Sequence, residues 1–171
     1  QGVSSAASDV YKRQVLVGLL EVSDGYHVLL TRRAANLRTH SGQIAFPGGK
    51  IDPEDESAVS AALREAKEEV GLDPSFVDPI GYLDPYLSGT GFRILPVVCV
   101  IKNGFTLTPD PSEVDAIFDV PLAFLMNPSN HARHTREIRG AWRTYHAMPY
   151  QDHYIWGVTA GIIKNLYDRI V

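Results

Sequence analysis

Glu65, Glu68 and Glu69 stand together in the run Arg64-Glu-Ala-Lys-Glu-Glu69, and they set the chemistry this chain can do. On a helix, positions i, i+3 and i+4 share one side and span an arc of about 100°. Helical neighbours decide whether such carboxylates are screened. Lys67 has Leu63, Arg64, Val70 and Gly71 around it and reaches none of the three. Arg64 reaches Glu68 at i+4, while Glu65 and Glu69 face each other with no cation in helical range. Facing like charges cost a helix roughly a few tenths of a kcal/mol. Unscreened carboxylates in a fixed geometry suit a hard divalent cation, which takes oxygen ligands and keeps positions open for water or phosphate. A solvated acidic face satisfies the spacing equally well, so the pattern needs its surroundings.

The helix that carries the glutamates is predicted over residues 57–70. Val59, Leu63, Ala66 and Val70 recur at four, three and four residues as one apolar stripe. Gly71 and then Pro74 end it. Just upstream, Phe46-Pro-Gly-Gly49 allows a tight backbone path, and Gly48 and Gly49 would let the chain approach a phosphate closely. Apolar runs at residues 15–20 and 27–30 flank Ser23-Asp24-Gly25 and read as a hairpin. Residues 36–50 read as loop. Further strands are expected at 79–83, 94–101, 105–107, 116–120 and 142–148, with a helical turn at 121–126 and a polar loop at 127–139. A last helix spans 157–170, with Ile162, Ile163, Leu166 and Ile170 inward. Strands outnumber helices and several are joined as hairpins. The expected fold is one mixed α/β domain over residues 15–171, a mixed β-sheet sandwiched between helices.

Composition narrows the setting. The chain has 171 residues, 44% of them hydrophobic and 21% charged, which is ordinary for a globular domain. Its formal net charge of -4 argues against a nucleic-acid partner, so an anionic substrate needs a local basic cluster or a metal. Cys99 lies in an apolar run and reads as a core thiol. No apolar stretch approaches the roughly 20 residues of a membrane span, so no membrane partner and a cytoplasmic setting are expected. Residues 1–14 are small, polar and unpatterned. They resemble translated adapter sequence, and a non-native or disordered leader replacing a native segment is expected there. A homo-oligomer is compatible with the sequence, which does not specify one.

The combination of Phe46-Pro-Gly-Gly49 with Arg64-Glu-x-x-Glu-Glu-x-Gly71 resembles the Nudix box, Gly-x5-Glu-x7-Arg-Glu-U-x-Glu-Glu-x-Gly-U, where U is apolar. Arg64, Glu65, Ala66, Glu68, Glu69, Gly71 and Leu72 match its second half. In the first half, the box glutamate falls on Glu56 but the leading glycine falls on Lys50, so the loop is one residue longer and Asp55 is the alternative first acid. A longer stretch, residues 29–49, is similar to the signature of the coenzyme A pyrophosphatase branch, Leu-Leu-Thr-x-Arg-[Ser/Ala]-x3-Arg-x3-Gly-x3-Phe-Pro-Gly-Gly. Leu29, Leu30, Thr31, Arg33, Ala34, Arg38, Gly42, Phe46, Pro47, Gly48 and Gly49 fill it. Asp52 and Asp55 fit that branch's longer loop, and Ile155-Trp-Gly-Val-Thr-Ala160 resembles its C-terminal segment.

The resemblance implies a Nudix hydrolase that binds Mg2+ or Mn2+ at Glu65, Glu68 and Glu69 and cleaves the pyrophosphate of coenzyme A, giving 3′,5′-ADP and 4′-phosphopantetheine. Arg64 orients Glu68 or a loop carbonyl. In related enzymes a glutamate of a late loop serves as base or further ligand; Glu113 is the candidate here, with Asp115 its neighbour. Arg32 and Arg38, in the densest basic stretch near the box, suit the substrate's phosphates, alongside Phe46, Gly48 and Gly49. The rival expectations are a Nudix pyrophosphatase for ADP-ribose or another nucleotide derivative, and a catalytically silent nucleotide sensor.

Overall fold

The structure is a computed structural model and describes residues 13–89 and 91–171. Its centre is a mixed eight-stranded sheet. β1 (Arg13–Val22) and β2 (Gly25–Arg33) form the expected hairpin. β1 runs parallel to β7 (Arg93–Ile101), and the remaining pairings are antiparallel. The long hairpin opens towards its free ends. β1 pairs there with β4 (Gly48–Lys50) and β2 with β3 (Ile44–Ala45). β2 also pairs with β8 (Val114–Pro121), and β7 with β5 (Val77–Tyr82) and β6 (Tyr86–Leu87).

Alternation along the strands gives the sheet two apolar faces. Leu16, Leu20, Leu29, Val97, Cys99 and Ile101 pack against Ala62, Ala66 and Val70 of α1 (Ala58–Val70). On the other face Val17, Val28, Leu30 and Val98 pack under Ala160, Ile162, Ile163 and Leu166 of α3 (Gly157–Ile170), together with Leu125 of α2 (Leu122–Leu125). This is the sandwich predicted. Two sheet faces need two covers, and the two amphipathic helices supply them.

Both ends of α1 follow from sequence. Ser57 accepts from the Ser60 amide as N-cap, a contact worth about 1 kcal/mol. Gly71 closes the C-terminus with φ 69°, and its amide bonds back into the last turn. The inward stripe differs from the expected one. Ala61, Ala62, Ala66, Glu69 and Val70 are buried, while Val59 and Leu63 lie at the flank. Alanines let α1 sit close on the sheet, which carries Glu69 inward with them. In α3, Ile170 is exposed at the last residue of the helix.

Further segments differ from the sequence reading. The loop expected at 36–50 contains the short strands β3 and β4, held by pairing with β2 and β1. Residues 105–107 are not a strand. Phe105 and Leu107 pack beneath α1, while the Thr108 and Asp110 amides bond the Val70 and Glu69 carbonyls. The polar loop expected at 127–139 contains β9 (Ala132–Ile138), paired with β10 (Ala141–Ala147) as a separate two-stranded ribbon. Its side chains carry no apolar alternation, so only backbone pairing marks it as strand.

The leader expected over residues 1–14 lies outside the described residues as far as residue 12; Arg13 and Gln14 already belong to β1. Gln14 is 1% exposed, and neither end of its amide has a partner. It alternates onto the face of Leu16 and Leu20, where an apolar side chain would cost nothing to bury. Gln14→Leu should stabilise the chain by roughly 1–2 kcal/mol, raising Tm by about 2–8 °C. A thermal melt checks this, and a lower Tm would mean the amide is satisfied in solution.

Candidate active site

The glutamate helix meets the sheet where the hairpin of β1 and β2 opens. β4 lies against β1 there, with Gly49 opposite Gln14 and Gly48 opposite Val15. A Cβ on Gly48 would stand 2.4 Å from the Gln14 carbonyl oxygen, and one on Gly49 would stand 2.7 Å from Glu65 Oε1. Any larger residue would push the loop off the strand or displace the carboxylate. The close approach these glycines permit is therefore to β1 and to Glu65. The Gly48 amide also points at Glu69 Oε2, 3.4 Å away.

Arg64 fixes the loop to the helix. Its Nε donates to Asp55 Oδ1 at 3.0 Å and its Nη2 to Asp55 Oδ2 at 2.9 Å, a two-pronged pair. The same Nη2 donates to the Lys50 carbonyl and lies 3.3 Å from Asp52. Nη1 donates to Glu65 Oε1 at 3.2 Å and reaches Glu68 at 3.5 Å. Arg64 bonds chiefly to the loop, and Glu68 is its outermost partner. Glu65 does have a cation, contrary to the helical-neighbour argument, because Arg64 folds back across its own turn. Asp55, with a side chain only 8% exposed, is the acid that holds Arg64. Glu56 is exposed. Arg64 keeps the Asp55 carboxyl below the usual range, and Asp55 in turn raises the guanidinium above its ordinary value.

The glutamates occupy unequal environments. Glu69 is 8% exposed; burial, then the charges of Glu65 and Glu113, push its pKa up to about 8. Burial also raises Glu65, against the pull of Arg64. The Glu68 side chain is 58% exposed. Glu113 arrives on the loop after β7. An Asp110 turn closed by Ser112 shapes that loop, and the Glu113 carbonyl accepts from the Ala34 amide at the end of β2. Its charge adds to the fields at both Glu65 and Glu69. Asp115, the alternative, accepts from the Ala35 amide instead.

Other expected site residues fall elsewhere. Phe46 is 5% exposed, in the core under α3, and is not available to a substrate. Alternation along β2 sets Arg32 with Val28 and Leu30 on the α3 face, away from the glutamates. Arg38 is exposed in the following loop. Arg33, assigned no role from sequence, is the arginine whose charge reaches Glu69. Its Nη2 donates to the Thr39 carbonyl and its Nε is buried without a partner. Its fixed place in the signature was the available signal.

Among the described residues, no three acidic, histidine or cysteine side chains are already gathered to hold a metal ion. The donor set still fits a hard cation. Burial raises both Glu65 and Glu69; Glu65 and Glu113 raise Glu69 further, Glu68 and Glu113 do so at Glu65, and a positive charge among them would relieve each.

A model of the NUDIX domain matches residues 12–165. The chain belongs to the Nudix family. It is 42% identical over 156 residues to Nudix hydrolase 15, mitochondrial, of Arabidopsis thaliana, covering 87% of this chain and 55% of that protein. It is 45% identical over 139 residues to the uncharacterized Nudix hydrolase NudL of Cronobacter sakazakii, covering 81% and 72%. The chain thus spans about half the length of the plant relative. Among solved structures, the NUDIX domain of Shewanella oneidensis NrtR, crystallised with ADP ribose, superposes with a TM-score of 0.58 at 17% identity over 99% of this chain and 95% of that one. That likeness establishes the mixed Nudix fold. No helix among the described residues is long and apolar enough to cross a membrane.

The Glu69 environment predicts a pH dependence. The folded, metal-free Nudix domain holds a proton on Glu69 up to about pH 8, whereas the unfolded chain releases it near the ordinary value of 4.5. The folded state binds more protons across that window, so this group's stabilisation is full below pH 4.5 and is lost as pH rises towards 8. Glu69→Gln should remove the loss, stabilising the protein at pH 8 by on the order of 2 kcal/mol, about 4–8 °C in Tm. Melts in a chelator at pH 5 and pH 8 test it. An equal shift at both pH values would place the effect in packing.

Proposed function

We propose that this Nudix domain hydrolyses the pyrophosphate of coenzyme A to 3′,5′-ADP and 4′-phosphopantetheine, with Mg2+ or Mn2+ as cofactor. One observation carries the reading: the loop bearing the coenzyme A signature runs directly onto the glutamates, its Gly48 amide on Glu69 and its Gly49 against Glu65. The presence of all three box glutamates favours an enzyme over a silent sensor.

Glu65 and Glu69 would hold the cofactor, with Glu68 joining from the exposed side. A bound divalent cation supplies charge neutralisation on the pyrophosphate, worth several kcal/mol in the transition state. The protein's own groups do the rest. Arg64 pins the loop so that the carboxylates keep their places. Glu113, exposed beside them, accepts the proton of the attacking water. The water oxygen bonds to phosphorus, the bridging P–O bond breaks, and the bridging oxygen leaves on the other phosphate. Arg33, whose charge reaches Glu69, and the exposed Arg38 in the loop between β2 and β3 are the cations offered to the substrate's phosphates.

The substrate reading predicts kcat/KM for coenzyme A well above that for ADP-ribose. Faster turnover of ADP-ribose would assign a different specificity. Glu65→Gln or Glu69→Gln should lower kcat by at least ~10³, and Glu113→Gln by about 10²–10⁴. Glu113→Gln should leave Mn2+ affinity largely intact. A large loss of Mn2+ binding in that variant would make Glu113 a ligand, and near-full activity in either helix variant would overturn the metal assignment.

A further inference from the structure

The ribbon of β9 and β10 stands apart from the main sheet and is basic: Arg133, Arg136, Arg139 and Arg143 against Glu137 alone. Residues directly opposite in an antiparallel ribbon share a face. Arg143 pairs with Arg136, so two exposed arginines leave the same face of the ribbon from directly opposite positions. Glu137 is on the other face, opposite Trp142. Among the described residues neither Arg136 nor Arg143 has a carboxylate partner. Like charges directly opposite weaken a ribbon that, having two strands, is already marginal. An anion between them would remove that penalty.

The surroundings favour a nucleotide phosphate. His134 and Tyr145 are the next pair on the same face, and Tyr145 meets the Trp156 ring edge-on. Tyr154, 46% exposed, stacks on the Trp156 ring with the centroids 6.3 Å apart. The two arginines therefore border an exposed aromatic surface fit for a base.

The ribbon also reaches the end of the sheet that carries the glutamates. A side chain on Gly89 would start 3.5 Å from Arg143 Nη1. The turn containing Gly89 is closed by Ser88 and Phe92, and Arg13 stacks over the Phe92 ring at 4.5 Å. Arg13 pairs with Lys50, whose carbonyl holds Arg64. These contacts connect Arg143 to the strand that holds Arg64 beside the glutamates.

We propose that Arg136 and Arg143 form a subsite for a phosphate monoester on the ribose of the substrate nucleotide. The proposal rests on the coenzyme A reading, since coenzyme A carries such a 3′-phosphate and ADP-ribose does not. Calorimetric titration of the full chain with adenosine 3′,5′-bisphosphate and with AMP tests it. The wild type should bind the bisphosphate at least about 10-fold more tightly, as expected for added charge-assisted bonds. Arg143→Glu turns the repelling pair into an attracting one, so the ribbon should stay folded while the preference disappears. Arg136→Gln gives a second, milder loss and decides the matter if Arg143→Glu lowers Tm. Equal wild-type affinity for both ligands, or a preference surviving in the folded variants, overturns the subsite.

Turnover separates this from the reading beneath it. If coenzyme A is cleaved but discrimination against dephospho-coenzyme A survives Arg143→Glu, the subsite fails and the substrate stands. If the arginines bind the bisphosphate but coenzyme A is not cleaved, the substrate fails and the subsite stands.

Discussion

A single guanidinium joins the parts of this site. Arg64 grows from the glutamate helix, yet its strongest bonds go to Asp55 and the Lys50 carbonyl, both in the loop that precedes the helix. That loop carries Gly48 and Gly49, and so Arg64 determines how closely the backbone approaches Glu65 and Glu69. Arginine suits the task because its planar fork serves several acceptors at once and cannot be discharged in the physiological range. Asp52, Asp55, Glu65 and Glu68 all lie within 3.5 Å of it. Removing the fork would leave a crowd of carboxylates with nothing to hold the loop down.

The fold opposes this clamp with a buried carboxyl whose charged form is disfavoured. α1 packs on the sheet through alanines, and that close contact buries Glu69 at the edge of the same stripe. Burial disfavours its charged form, and Glu65 and Glu113 add to the penalty. A structural site would place a cation directly on such a carboxylate. Here Arg33 acts at a distance and the Gly48 amide donates one long bond. The cost is the one a ligand-binding site carries when its ligand is a cation.

The two faces of the sheet divide residues that stand next to each other in the chain. Leu29 packs on the α1 side and Leu30 on the α3 side, and the same alternation divides Arg33 from Arg32. Two neighbouring arginines in a basic stretch are equivalent in sequence and are opposed in the folded chain. Phe46 shows the same effect, since its place in the signature reflects core packing under α3.

What the sequence determined by itself was local. The helix, its Ser57 and Gly71 ends, the glutamate spacing, the hairpin of β1 and β2 and the helix–sheet–helix sandwich all rest on periodicity and turn chemistry within a few residues, where side-chain identity dictates backbone conformation. The Nudix box was legible for the same reason. Tertiary structure decided which partner each charge takes. Arg64 chooses Asp55 nine residues away, Glu113 is brought up by a loop tied to the end of α1, and residues 132–138 become a strand through pairing with β10 alone. These outcomes depend on contacts between segments far apart in the chain. Long charged side chains have many acceptors within reach, and only the folded geometry makes one of them the nearest.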